Sequence, residues 1–290
     1  MTKRSISIAV AAAFVAMALG VVWAVGNTLV RPTASAVAAA QPPARDLTLK
    51  AEDGTTAAAT YWPGRAPNAP GVLLLHGNGA SRAQMATKAQ WLAGQGYAAM
   101  TIDFRGHGQS TLAPRSFGLF ESRDAAAAFA WLKREQKGAK IAVIGLSLGG
   151  AASLLGDRGP LAADALVLEA VYPDIRRAIR NRIAGALGAA PAWAIEPALS
   201  LQAPLRYGVW PGRIAPLAAL RRYRGPVFVI GGGADRYTPP PETREMFDAV
   251  AGPRSLWIVD GLDHAQVSGL STPLYRARIL AFFARTVGRP

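Results

Sequence analysis

The chain has 290 residues, of which 51% are hydrophobic and 17% charged, so most of it can bury a core and intrinsic disorder is excluded. It carries 32 Lys and Arg against 18 Asp and Glu, a formal net charge of +14. The absence of Cys excludes disulfides, thiolate catalysis and Cys-ligated metal sites. No helix-turn-helix, zinc-finger or aromatic RNA-binding motif accompanies the positive charge, so no nucleic-acid partner is expected.

The first 30 residues are predicted to be a signal-anchor or a signal peptide. Lys3 and Arg4 precede an apolar stretch over residues 6–26, which as a helix would be about 31 Å long and could span a bilayer. This length favours a retained single-pass anchor, whereas the small residues at 34–36 have the spacing that a signal peptidase recognises. In both cases the amino terminus stays cytoplasmic and the rest is exported, and cleavage would make the protein secreted or periplasmic.

Residues 31–45 are rich in Ala and Pro and are predicted to be a flexible tether to a domain over residues 46–290. In that domain, short apolar runs alternate with helical stretches, which predicts a mostly parallel sheet with helices on both faces. The expected strands are 55–62, 71–75, 98–102, 141–144, 165–168, 226–230 and 255–259. The expected helices are 82–93, 121–137, 148–155, 242–250 and 274–286.

The alternation breaks over residues 172–223, which are predicted to be a helical lid inserted into the domain. An apolar residue recurs every four positions there, at Ile175, Ile179, Ile183 and Leu187. This pattern predicts an amphipathic helix whose opposite, basic face holds Arg176, Arg177, Arg180 and Arg182. We expect the apolar face to cover a pocket and the basic face either to meet phospholipid headgroups or to be solvated surface.

Ser147 is the predicted nucleophile. It lies in Gly-Leu-Ser-Leu-Gly at residues 145–149, directly after an apolar run and directly before a helical stretch, as a nucleophile elbow requires. The flanking glycines leave room for the strained turn that lifts the hydroxyl above the sheet. An ordinary tight turn is the alternative interpretation of this motif.

A serine hydroxyl is a poor nucleophile and needs a base, for which His264 is the candidate because it follows the last predicted strand. Asp235 follows the preceding strand and could orient the imidazole of His264. The order Ser, Asp, His along the chain is the one that accompanies a nucleophile elbow. Glu169 and Asp174 are reserve candidates for the acid, whereas Asp263 is predicted to be a turn residue.

Two backbone N–H groups are needed to stabilise the oxyanion that forms in acyl transfer. The N–H of Leu148, next to the nucleophile, is the first predicted donor. The N–H of Asn78 is the second, because it lies in the His-Gly-Asn-Gly turn at residues 76–79 after a predicted strand. His76 is expected to shape that turn rather than to transfer protons.

Five motifs in this order resemble the α/β-hydrolase family, in the serine-hydrolase branch with esterase-like, lysophospholipase-like and serine aminopeptidase-like members. They are HGNG at 76–79, DFRGHGQS at 103–110, GLSLGG at 145–150, GGGADRYTPP at 231–240 and GLDHA at 261–265. The resemblance covers residues 46–290 and implies the α/β-hydrolase fold, hydrolysis of an ester or related acyl bond without metal or organic cofactor, and a structural role for His107. The fold hosts many chemistries, so the resemblance does not fix the substrate.

We therefore expect a serine hydrolase that cleaves carboxylic esters through an acyl-enzyme intermediate. Its expected substrate is a small-molecule or lipid-like acyl ester, and its expected membrane contacts are the amino-terminal helix and the basic lid. A peptidase or a thioesterase would use the same residues. A non-catalytic, membrane-tethered binding module is the alternative from a different class.

Overall fold

The computed structural model describes residues 3–157 and 159–290, so the first two residues of the predicted amino-terminal segment lie outside the described residues, as do the side chains of Lys3 and Arg4. The described α-helices are α1 Lys3–Val30, α2 Ala83–Gly94, α3 Glu121–Glu135, α4 Leu148–Leu154, α5 Ile175–Leu187, α6 Ala189–Ser200, α7 Ala203–Tyr207, α8 Pro216–Leu220, α9 Pro240–Asp248, α10 His264–Ser268 and α11 Pro273–Thr286. The strands are β1 Thr33–Ala34, β2 Arg45–Lys50, β3 Thr56–Trp62, β4 Gly71–Leu75, β5 Ala98–Ile102, β6 His107–Gly108, β7 Ile141–Leu146, β8 Ala165–Glu169, β9 Val227–Gly232 and β10 Arg254–Val259.

The central sheet has eight strands in the order β10, β9, β8, β7, β4, β5, β3, β2. The pairs from β10 to β5 are parallel, whereas β3 and β2 form an antiparallel edge. In register, Leu75 lies opposite Gly145 and Leu146 lies opposite Glu169. The carboxyl ends of the parallel strands therefore meet at one edge, where sheets of this kind bind their ligands.

The sheet is buried on both faces because its central strands are continuous apolar runs, as GVLLL in β4 illustrates. Leu73 and Leu75 point into a core that also contains residues of α3 and α4. Val72 and Leu74 point to the opposite face, into a core with residues of α2 and α11. The predicted parallel sheet with helices on both faces is confirmed.

All seven expected strands and all five expected helices are present, and each end lies within two residues of the expected bound. The strand β2 was not expected, since it is an edge strand in which five of the six residues are partly or fully exposed. Its sequence RDLTLK carries only two apolar residues, so its hydrophobic signal is weak.

Part of the predicted tether, residues 33–35, is paired with the domain. Thr33 and Ala34 pair in parallel with His107 and Gly108, and the N–H of Thr33 donates to the carbonyl of Gly106 at 2.7 Å. The composition of this segment predicts only that the free chain is flexible. An extended backbone can still pair wherever another segment presents free N–H and C=O groups.

The helix α1 contains a stretch, Val10–Val30, that is long and apolar enough to cross a membrane, and most of it is exposed. Its last turns lie on a helical insertion that joins β8 to β9, consists of residues 172–223 and contains α5 to α8. Gln202 and Arg206 of this insertion hydrogen-bond to α1. The amino-terminal helix therefore contacts the same part of the fold that covers the carboxyl edge of the sheet.

Candidate active site

Ser147 lies in a strained turn between β7 and α4, with φ 48° and ψ −106°. A Cβ on Gly145 would overlap Gly150, and a Cβ on Gly149 would overlap the carbonyl oxygen of Leu75, so the turn requires glycine at both places. This is the strand, turn and helix arrangement that the motif predicts, and it places the serine at the carboxyl edge of the sheet.

His264 and Asp235 are hydrogen-bonded at the same edge. Asp235 follows β9 and His264 is the first residue of α10, just after β10. The imidazole Nδ1 donates to the carboxylate Oδ2 of Asp235 at 2.8 Å, and the carboxyl group is completely buried. A carboxylate in this position orients the ring and leaves Nε2 free to accept a proton.

Three further donors fix the carboxylate of Asp235. The Oγ1 of Thr238 donates to Oδ2 at 2.6 Å, and the backbone N–H groups of Tyr237 and Thr238 donate to Oδ1 at 2.7 and 2.9 Å. Burial raises the pKa of Asp235, but the hydrogen bonds and charge of His264 together with those of Thr238 outweigh it and hold the pKa below its usual value. The group is therefore ionised at neutral pH. Sequence reasoning missed Thr238, although it lies within the motif GGGADRYTPP.

Both predicted oxyanion donors lie around the same cavity as Ser147. Leu148 is the first residue of α4, so its N–H has no acceptor inside the helix. Asn78 lies in the turn after β4. The ring of His76 stabilises this turn, because its Nδ1 donates to the carbonyl of Gly77 at 2.7 Å and its Nε2 accepts from the N–H of Phe104 at 3.2 Å. Burial, reinforced by the nearby His107, lowers the pKa of His76 to about 3, so the ring is neutral and structural, as expected.

The other acidic candidates have different partners. Glu169 is buried and accepts from Lys88 Nζ and from the hydroxyl of Tyr275, both at 2.6 Å. Asp174 caps α5, and Asp263 caps α10 by accepting from the N–H of Gln266 at 2.8 Å. Among these carboxylates in the described part of the chain, only that of Asp235 hydrogen-bonds to His264, whose ring packs against Tyr237 beside the cavity residue Arg182.

The cavity above Ser147 has a volume of about 270 Å³. Seven of its fifteen lining residues are aliphatic side chains from the insertion and from α1: Val25, Leu29, Ile175, Ala178, Ile179, Ile183 and Leu199. A larger depression of about 680 Å³ lies near Arg45 and Trp131 and is lined by none of the predicted site residues. The smaller cavity is therefore the candidate substrate site.

Two arginines, Arg115 and Arg182, also line this cavity. Arg182 was expected on the opposite face of α5 from Ile175, and this expectation is wrong. It follows Ile175 by seven residues, which at 3.6 residues per turn returns it to about the same face of the helix. Its guanidinium lies 5.0 Å from the ring centroid of Tyr237, which in turn packs against His264.

Within the described part of the chain, neither cavity arginine has a carboxylate oxygen within 4.0 Å. Buried arginines elsewhere are neutralised, since Arg82 is paired with Asp103 and Arg105 with Asp53 and Asp124. Burial lowers the pKa of both Arg115 and Arg182 but leaves them charged at neutral pH. The cavity therefore carries positive charge that no neighbouring acid offsets by direct contact.

Among the residues that the structure describes, no three or more His, Asp and Glu side chains are placed to hold a metal ion together. The groups that could take part in chemistry at this site are the serine, histidine and aspartate, the backbone amides and the two arginines. Each of these lies on a loop or helix that begins at the carboxyl edge of the sheet or covers it.

A strained serine between a strand and a helix, with a hydrogen-bonded histidine and aspartate after the last two strands, defines the α/β hydrolases. The chain belongs to the α/β-hydrolase superfamily and, within it, to the serine hydrolases. Residues 66–207 match the family described as serine aminopeptidase, S33.

The chain is also similar to an uncharacterized relative and, in its fold, to solved structures. An uncharacterized protein of Mycobacterium tuberculosis, Rv2307c, is 30% identical over 276 residues, which cover 90% of this chain and 89% of the relative. The fold is similar to that of the Pyrococcus furiosus esterase Pf2001, with a TM-score of 0.70 at 22% identity over 90% of this chain and 99% of that one. It is also similar to the esterase Est2 of Thermogutta terrifontis, with a TM-score of 0.63 at 19% identity over 84% and 92% of the two chains.

Proposed function

We propose that the protein is an esterase that hydrolyses carboxylic esters through an acyl-enzyme intermediate, with Ser147, His264 and Asp235 as its catalytic triad. The observation that carries this proposal is the 2.8 Å hydrogen bond between His264 Nδ1 and the buried Asp235, at the sheet edge where Ser147 occupies a strained elbow. A hydrogen-bonded pair of this kind turns a serine hydroxyl into a nucleophile.

In this mechanism Ser147 Oγ attacks the carbonyl carbon while its proton passes to Nε2 of His264. Asp235 stabilises the imidazolium that results, because its carboxylate is ionised and already accepts the Nδ1–H. The N–H groups of Leu148 and Asn78 stabilise the oxyanion. His264 then protonates the leaving alcohol. In the second half of the reaction His264 takes a proton from water, which attacks the acyl carbon, and the proton passes to Ser147 Oγ as the carboxylic acid is released.

The lining of the cavity supports an ester with an apolar acyl chain and a negatively charged group. Its walls are mainly aliphatic, which suits an alkyl chain, and Arg115 and Arg182 lack acidic partners in direct contact. A charge that is removed from water without a partner is costly, so these guanidiniums suit a substrate that brings a carboxylate or a phosphate. Two structurally similar proteins are named esterases, whereas the family that residues 66–207 match is described as a serine aminopeptidase, so the test below compares esters with an amide.

The test is hydrolysis by the full-length protein in detergent of p-nitrophenyl esters with short to long acyl chains, alongside a thioester and an aminoacyl anilide. We expect Ser147→Ala to abolish activity and labelling by a fluorophosphonate. The control is Ser255→Ala, which changes a half-buried serine in β10 that does not line the cavity and which should retain both. A preference for the anilide or the thioester would replace the ester assignment. A folded wild type with neither turnover nor labelling would contradict the proposal and support a binding module.

A further inference from the structure

The end of α1 forms a wall of the candidate substrate site. Val25, Thr28 and Leu29 line the same cavity as Ser147 and Leu148. Leu29 lines the cavity and is 37% exposed. The helix that was expected only to anchor the protein therefore contributes directly to the space that a substrate would occupy.

Hydrogen bonds hold this wall in place on both sides of Val30. Before it, Arg206 donates to the carbonyl of Trp23 at 3.1 Å and to the Oδ1 of Asn27 at 2.9 Å, and its guanidinium lies 4.0 Å from the ring centroid of Trp23. After it, the backbone of β1 pairs with β6. The carbonyl of Val30 itself accepts from the N–H of Arg115 at 2.9 Å.

The insertion beside α1 exposes apolar side chains. Outside α1, eight large apolar side chains are exposed in the described part of the chain, and five of them lie in the insertion: Leu187, Trp193, Leu201, Leu205 and Trp210. The insertion also contacts α1. Apolar surface that adjoins a helix of membrane-spanning length is suited to the interface of a bilayer, where Trp and Leu side chains are favoured.

We propose that residues 22–35 are retained as part of the catalytic unit, and that α1 and the exposed apolar side chains of the insertion seat the cavity on a lipid bilayer. The substrate is then an amphiphilic ester taken from the membrane, with its acyl chain against Val25 and Leu29. This inference rests on the proposed esterase function. Signal-peptide cleavage at residues 34–36 would remove one wall of the cavity, so the mature protein keeps its amino terminus.

The first experiment changes the wall. Leu29→Trp should narrow the acyl site, shift the chain-length optimum of p-nitrophenyl esters to shorter chains and reduce turnover of the longest chain by about tenfold. Leu29→Ala should shift the optimum in the opposite direction. Leu19→Trp makes the same change on a part of α1 that is 65% exposed and does not line the cavity. All variants are full-length, and rates are divided by the fraction that a fluorophosphonate labels.

The second experiment changes the membrane contact. Full-length enzyme is reconstituted in vesicles of a zwitterionic lipid that contain a long-chain fluorogenic ester. Leu205→Ser with Trp210→Ser should reduce hydrolysis of that ester by about tenfold relative to the labelled enzyme, because both side chains would leave the interface. The matched control, Leu112→Ser with Leu274→Ser, alters two apolar side chains that are exposed outside the insertion. It should not reduce hydrolysis of the long-chain ester.

The outcomes separate this inference from the esterase function. A labelled, active enzyme whose chain-length profile is the same in Leu29→Trp, Leu29→Ala and wild type would overturn the inference and leave the esterase standing. So would a mature protein from membranes that begins after residue 36 by intact mass. Absence of both labelling and turnover in a folded wild type would instead contradict the esterase function itself.

Discussion

Asp235 accepts hydrogen bonds from four donors, and these explain why it rather than Glu169 is suited to orient His264. The two backbone N–H groups at 237 and 238 and the Thr238 hydroxyl stabilise the carboxylate while the imidazole occupies the remaining direction. Each carboxylate oxygen of Glu169 already accepts a hydrogen bond in the core, one from Lys88 and one from Tyr275. Position in the sequence alone made both acids plausible, because each follows a strand.

Asp235→Asn should lower kcat by about 10³ to 10⁴-fold, because an amide no longer stabilises the imidazolium or holds the correct tautomer of His264. Glu169→Gln is the comparison, since it leaves the His264 contact intact and changes only the buried contacts with Lys88 and Tyr275. Steady-state kinetics on a p-nitrophenyl ester and thermal melting of both variants test this. If Glu169→Gln lost turnover at unchanged labelling of Ser147 while Asp235→Asn kept it, the acid would be misassigned.

Thr238→Val should reduce kcat by about tenfold, because a buried hydrogen bond to a charged group contributes about 1.5 kcal/mol. Its loss frees Oδ2 of Asp235 to move and so loosens the orientation of His264. Thr238→Ser retains the hydroxyl and should restore most of the activity. Equal losses in the Val and Ser variants would assign Thr238 a packing role only.

Arg182→Met should reduce kcat/KM for an aryl ester with a terminal carboxylate by about tenfold relative to its neutral methyl ester, because a charged hydrogen bond to the substrate is lost. Arg213→Met is the control, as Arg213 lies in the same insertion but is exposed and does not line the cavity. The quantity compared is the ratio of the two kcat/KM values. An unchanged ratio would show that Arg182 does not bind the anionic group.

Among the helices, three arginines on the basic face of α5 join α5 to its neighbours. Arg176 and Arg180 pair with the buried Glu196 of α6, and Arg177 pairs with Glu245 of α9. The side chains of Arg176 and Arg177 nevertheless stay 50% and 33% exposed, so these pairs do not decide between headgroup contact and solvated surface. The surface that the insertion exposes beside α1 is instead apolar.

Glu196→Gln should loosen the contact between α5 and α6, because it leaves the guanidiniums of Arg176 and Arg180 without a charged partner. We expect amide hydrogen exchange in these two helices to accelerate by about tenfold while the sheet remains protected. Asp157→Asn is the control, since it removes an exposed carboxylate from a 3.8 Å pair. Uniform acceleration over the whole domain would instead mean that the pair stabilises global folding.

At the scale of the whole molecule, two buried histidines, His76 and His107, join the loops that follow β4 and β5. Their rings lie 5.1 Å apart, and each accepts or donates a backbone hydrogen bond. Burial lowers the pKa of His107 to about 4 and that of His76 to about 3, whereas an unfolded histidine titrates near 6.5. Below about pH 6.5 the unfolded chain therefore binds protons that the folded chain does not.

The contribution of these two histidines to the free energy of unfolding should therefore be fully present above about pH 6.5. The free energy of unfolding should fall as the pH is lowered from there toward 4. His107→Asn removes one of these titrations and keeps a donor for the carbonyl of Arg105. Its free energy of unfolding should depend less steeply on pH in this window, by up to about 1.4 kcal/mol per pH unit. Urea titrations from pH 4 to 7 measure the slope, and identical slopes for variant and wild type would contradict the prediction.

Local patterns in the amino-acid sequence were enough to predict the central sheet, the elbow at Ser147 and the candidates His264 and Asp235. Each depends on signals that are local in the chain: an apolar run that ends in a turn, two glycines around a serine, or a polar residue just after a strand. The order of these segments was enough to place their carboxyl ends at one edge, because parallel strands share direction.

The positions of α1, Arg182 and Thr33 depend on contacts between segments that are distant in the chain or on packing around the cavity. Thr33 pairs with a strand 74 residues further along the chain, and α1 contributes Leu29 to a cavity whose other walls come from residues 78 to 199. Such contacts depend on where distant segments meet in space, and composition and periodicity describe only near neighbours in the chain. For the same reason the sequence did not predict that residues 33 and 34 pair with β6, or that the helix predicted as a signal-anchor or signal peptide lines the candidate active site.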